Sequence, residues 1–98
     1  MKDKDLEKVL RIVYVLMNSL HEGINMISIE MIRKIIKRKT GIILSDVIDY
    51  YLKIAINQIE LQANKRNIEI YFPNNIYFDG VRNKHVPLDT IILIVRKA

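Results

Sequence analysis

Apolar positions follow helical spacing through the first two thirds of the chain and then pass into alternation. Leu6, Val9, Leu10, Val13, Leu16, Met17 and Leu20 form one stripe, which predicts a first helix within residues 3 to 21. Asp3, Asp5 and Glu7 stand at its start, where acids complement the positive end of the helix dipole. Ile12, Tyr14 and Val15 widen the apolar arc, so this helix either sits centrally or forms a subunit contact. His21-Glu22-Gly23 ends it, and Ile24 to Ile27 predicts a short strand.

Residues 28 to 62 organise the rest of the chain. Ser28 is a suitable N-cap, Ile29, Ile32 and Ile36 recur at helical spacing, and Gly41 can take the positive-φ position that closes a helix. The expected second helix runs from Ser28 to Thr40. Ser45 offers a second cap, and Ile48, Leu52, Ala55 and Ile59 share one face of a third helix lasting to about Asn64. Val47, Tyr51, Ile54, Ile56 and Leu61 broaden that face past half the circumference. Two helices joined by a short turn predict a helix-turn-helix.

Beyond Lys65-Arg66-Asn67 the period changes. Ile68, Ile70 and Phe72 alternate with Glu69 and Tyr71, Pro73-Asn74-Asn75 signals a turn, and Ile76, Tyr77 and Phe78 resume an extended pattern. Asp79-Gly80 signals another turn before the polar stretch Arg82-Asn83-Lys84-His85. Ile91 to Val95 is continuously apolar and mostly β-branched, which favours a buried strand, with a short helix capped by Asp89 or Thr90 as the alternative. The expected class is α+β, one domain over residues 1 to 98, with three helices and a C-terminal β-hairpin.

Nineteen of the 98 residues are Ile, so the chain has the apolar content of a folded domain, although a chain this short leaves apolar surface that association with a partner would cover. It has no Cys, which removes disulfides, thiolate catalysis and Cys-ligated zinc and suits an intracellular, cytoplasmic protein. The longest apolar run near the start, Ile12 to Met17, falls far short of a bilayer span, so no membrane association is expected. The Ile, Lys and Asn bias suits an AT-rich archaeal or viral genome.

The net charge of +5 favours polyanionic partners, and its distribution sharpens that expectation. Arg33, Lys34, Lys37, Arg38 and Lys39 stand on one helix and its end, with no acid from Met31 through Ser45. One or two cations suffice to offset a helix C-terminal dipole; five point to a polyanion. The third helix differs, since its polar stripe includes Asp46, Asp49, Lys53, Asn57 and Glu60. Catalysis has no support. His21 and His85 are isolated, Gly23, Gly41 and Gly80 all fall in turns, and no metal-ligand spacing or phosphate-cradling loop occurs. No cofactor or metal is expected.

The order helix, short strand, basic helix, turn, long helix and hairpin resembles the winged helix-turn-helix family. The resemblance is carried by the spacing from Arg11-Ile12-Val13 through Ile27-Ser28-Ile29-Glu30 and Thr40-Gly41-Ile42 to Ser45-Asp46-Val47 and Tyr51-Leu52. It implies a transcriptional regulator that binds double-stranded DNA as a homodimer, with the third helix in the major groove and a wing touching the backbone or minor groove. By position, Ser45, Tyr50, Lys53 and Asn57 would face bases or backbone, Lys34, Lys37, Arg38, Lys39 and Thr40 would meet phosphates with Arg33 beside them, and Arg82, Lys84 and His85 would form the wing tip. Asp46, Asp49 and Glu60, with no Arg on the third helix, weigh against base-specific readout more than against backbone binding.

Winged helices also serve as protein-interaction modules, so an adaptor docking a protein partner through the first and third helices is the alternative. A second, weaker resemblance is to the histone fold, with His85 to Thr90 leading into a capped last helix.

Overall fold

The computed structural model describes residues 3–72 and 89–97. Helix α1, Lys4–Asn18, begins where Asp3 accepts the Leu6 N–H through Oδ1 at 3.0 Å, satisfying a donor that the helix leaves without an internal partner. It ends three residues before His21, the expected limit. The cause is Asn25, whose side chain accepts from His21 N–H at 3.0 Å and donates to His21 O at 2.8 Å, pulling residues 20 to 22 into a corner. The same amide donates to Leu93 O at 3.3 Å, so this buried polar side chain is satisfied and locks the corner to the sheet.

Strand β1, Gly23–Ser28, leads directly into α2, Ile29–Thr40. Ser28 caps α2 by accepting from Met31 N–H at 3.2 Å, and Asp89 O accepts from Ile29 N–H at 2.7 Å. At the other end Gly41 adopts φ 76° and its N–H donates to Lys37 O at 2.9 Å, a left-handed termination that a side chain would strain. Thr40 donates its hydroxyl to Ile36 O and accepts from Ile42 N–H, tightening the same turn.

Helix α3, Ser45–Lys65, starts one residue earlier than expected. Leu44 holds the extended N-cap position and makes no side-chain cap bond, so Ser45 is the first helical residue rather than the cap. The helix closes through Arg66 and through Asn67 at φ 57°, with Ile68 N–H donating to Ala63 O at 2.8 Å.

Strands β2, Glu69–Tyr71, and β3, Thr90–Val95, complete a three-stranded antiparallel sheet of order β1-β3-β2. The strand expected over Ile91 to Val95 is therefore present, and it is the central one. The capped helix that a histone-like arrangement needs there is not formed. In register, Asn25, Leu93 and Ile70 form one row, and Met26, Ile92 and Tyr71 the next. The turn and strand expected over residues 73 to 80 and the polar tip at Arg82, Lys84 and His85 lie outside the described residues.

Over the described residues the fold is α+β: three helices packed with a three-stranded antiparallel sheet. Its core joins Val9, Ile12, Val13 and Met17 of α1, Ile32 and Ile36 of α2, and Ile48, Leu52, Ala55 and Ile59 of α3 to Ile27, Ile91 and Leu93 of the sheet. Each fully buried Ile contributes roughly 1.5–3 kcal/mol relative to an exposed one. Ile12 belongs to this core, whereas Tyr14 and Val15 remain exposed, so α1 packs by one face and is uncovered on two flanks, beside α2 at Val15 and beside α3 at Tyr14. Among the described residues no helix is long and apolar enough to cross a membrane.

Candidate nucleic-acid interface

The five cations expected to act together on α2 do not share one surface. Arg33 turns toward α3, where its guanidinium pairs with Asp49, and its Nε lies 3.4 Å from Glu30. Its charge is met by two carboxylates, so it leaves the group expected beside the phosphate contacts. Lys34, Lys37, Arg38 and Lys39 are all exposed, and none forms an ion pair among the described residues.

Helical spacing divides these four. Lys34 and Lys37 project from the outer and α3-facing sides of α2, while Arg38 and Lys39 line a groove shared with α1. Lys8 and Arg11 of α1 line the same groove. Sequence reading missed these two because the only signal was a pair of cations on the flank of an apolar stripe, and nothing local indicated which helix would lie opposite.

Thr40 is half-buried and committed to the α2 terminus through its two hydroxyl bonds. Ser45, Lys53 and Asn57 are exposed, and so is Tyr50 at 62 %. Tyr50 meets Tyr51 edge-to-face with ring centroids 5.2 Å apart. Tyr50, Lys53 and Asn57 fall on the outward stripe of α3, in the same helical sector as Asp46, Glu60 and Asn64. A polyanion approaching this stripe meets Lys53 together with carboxylates. Arg82, Lys84 and His85 lie outside the described residues, and so does any convergence between them and α2.

The other described arginines have structural partners. Arg66 donates to Met17 O and to Asn18 Oδ1, both at 3.0 Å, and so supplies the positive charge that the last turn of α1 lacks. Arg96 pairs with Glu69 across β3 and β2 at 2.7 Å. The Arg96 bond, followed by one from Tyr71, holds the Glu69 carboxyl below the usual carboxylate range. Only Arg11 and Arg38, both in the α1–α2 groove, have no such partner among the described arginines.

His21 Nδ1 lies 2.8 Å from Glu22 O and must carry the proton to bond there. Among the described residues no group of three or more His, Cys, Asp or Glu is arranged to hold a metal ion. Comparison with protein-family models, with curated proteins and with solved structures finds no match to this chain.

Proposed function

We propose that this protein is a winged helix-turn-helix domain that binds double-stranded DNA as a homodimer and regulates transcription. The observation that carries the proposal is the exposed, acid-free cation set Lys34, Lys37, Arg38 and Lys39 on the helix preceding the turn. The element order and the sheet order β1-β3-β2 support it, because they allow a wing to extend between β2 and β3. Lys34 and Lys37 contact phosphates, Arg38 and Lys39 extend that contact at its α1 side, and Tyr50, Lys53 and Asn57 present the outward stripe of α3. Asp46 and Glu60 on that stripe make backbone contact, rather than base readout, the main source of affinity. Arg82, Lys84 and His85 remain the proposed wing contacts.

The homodimer uses the second uncovered flank of α1, where Leu10 and Tyr14 border a groove with Gln58 and Gln62 of α3. Lys34→Glu with Lys37→Glu abolishes duplex binding under this proposal. Light scattering gives a dimer, and Tyr14→Glu shifts it to monomer.

The second reading, a protein-interaction adaptor, draws on Ile43 and Leu44 in the turn, which are 80 % and 61 % exposed. Under it, the same charge reversals on α2 leave partner capture intact.

A further inference from the structure

Between α1 and α2 lies a groove of about 480 Å³. Its floor is apolar, made by Ile12, Val15 and Leu16 of α1 and Ile35 of α2. Its rim is cationic on both walls, with Lys8 and Arg11 on one side and Arg38 and Lys39 on the other, and no Asp or Glu among the described residues lines it. Each wall is one helical ridge, since residues 8, 11, 12 and 15 of α1 and residues 35, 38 and 39 of α2 fall at i, i+3, i+4 and i+7 spacings.

These features select the occupant. A phosphate backbone would use the rim and leave the apolar floor wet, so the floor has no role against a nucleic acid. A single acyl chain with an anionic head would use both, yet the groove is an open trough in which Val15 is 55 % exposed, whereas small-molecule sites bury most of the ligand. A third helix laid along two others fits both the shape and the chemistry. Apolar anchors at i, i+3, i+4 and i+7 fill the floor, and acids flanking that stripe reach the cations on either wall.

We propose that the α1–α2 groove docks an acidic amphipathic helix of a partner protein. The site does not depend on DNA binding, because Lys8, Arg11 and Val15 belong to it alone. Arg38 and Lys39 serve both surfaces, so an occupied groove competes with DNA for two of the four α2 cations.

The test uses the full chain and a fluorescent synthetic peptide with blocked termini, carrying a Leu stripe at those spacings and Glu at the flanking positions. A scrambled peptide of the same composition is the control, and anisotropy is the readout. The patterned peptide binds, and the scrambled one binds roughly tenfold more weakly or not at all. Val15→Glu and the double change Lys8→Glu with Arg11→Glu each weaken the patterned peptide by roughly tenfold. All three positions are exposed, and unchanged thermal melting confirms that the variants fold.

Lys34→Glu with Lys37→Glu leaves peptide binding unaltered, so a failure of the DNA proposal and a failure of this one are read separately. Equal binding of the scrambled peptide, indifference to Val15→Glu, or no binding of the patterned peptide overturns the proposal. Duplex DNA whose binding also falls with the uncharged change Val15→Ser, which leaves the charges of Arg38 and Lys39 unopposed, would make the groove a nucleic-acid site and overturn it as well.

Discussion

The phenolic hydroxyl of Tyr51, midway along the fold in α3, donates to Asp3 Oδ2 at 2.9 Å, while Oδ1 of the same carboxylate caps α1. One side chain therefore starts a helix and ties it to another. The Leu6 N–H, followed by the Tyr51 hydroxyl, holds the Asp3 carboxyl below its ordinary range. The bond to Asp3, followed by burial, pushes Tyr51 from 10.0 up to about 12.

These shifts set two pH limits. The folded state keeps the Tyr51 proton more tightly than the unfolded chain does, so that contribution is full below pH 10.0 and is lost as pH rises toward about 12. The Asp3 contribution has the opposite sense. It is full above the unfolded carboxylate value, about 3.9, and is lost as pH falls through the lower folded value. Tyr51→Phe is expected to be less stable than the parent at neutral pH and to show a flatter alkaline limb. Urea unfolding at about pH 8 and about pH 11 checks this: the gap between the two proteins narrows at the higher pH.

Gly41 carries the turn between α2 and α3 with a φ of 76°, and a Cβ placed there meets nothing within 4 Å. The cost of Gly41→Ala is therefore conformational, about 1 kcal/mol, and Gly41→Asn costs less because Asn tolerates the left-handed region. Denaturant midpoints of the two variants test the order. An equal and larger loss in both would indicate a steric cause instead.

Local signals were legible in the sequence, and pairings between distant segments were not. Ser28 and Gly41 bound α2 as expected because a cap and a left-handed glycine act through backbone groups within a few residues. The β-branched run Ile91 to Val95 announced its strand because both faces of β3, the central strand, are largely covered. Ser45 was misplaced by one position, since Ser suits both a cap and the first helical turn and only the backbone at Leu44 distinguishes them. The early end of α1 depended on the reach of Asn25 to His21, and no hydrophobic period contains that information. Arg33 read as one more free cation because Asp49, its partner, lies beyond the turn. Lys8 and Arg11 joined Arg38 and Lys39 only when α1 and α2 packed together.

Asp49 offers a gain-of-function check on the proposed interface. Its carboxylate holds Arg33, and both side chains are partly exposed, at 55 % and 33 %. Asp49→Asn removes a negative charge from the α3 surface and one of the two carboxylates that hold Arg33, leaving Glu30. Duplex affinity is expected to rise several-fold, with the salt slope steeper by about one unit per protomer, while stability changes by no more than about 0.5 kcal/mol. Fluorescence anisotropy on a labelled duplex across a salt series gives the slope directly. A fall in affinity would mean that the ion pair orients the binding surface instead of masking it.

The proposed role of α2 is tested most directly by titrating a labelled DNA duplex with the full chain over a range of salt concentrations. If about six to eight cations per dimer neutralise phosphates, log affinity falls against log salt with a slope of about 5 to 7, and Lys34→Glu with Lys37→Glu removes the binding. A flat salt response, or no binding at low salt, would contradict the account.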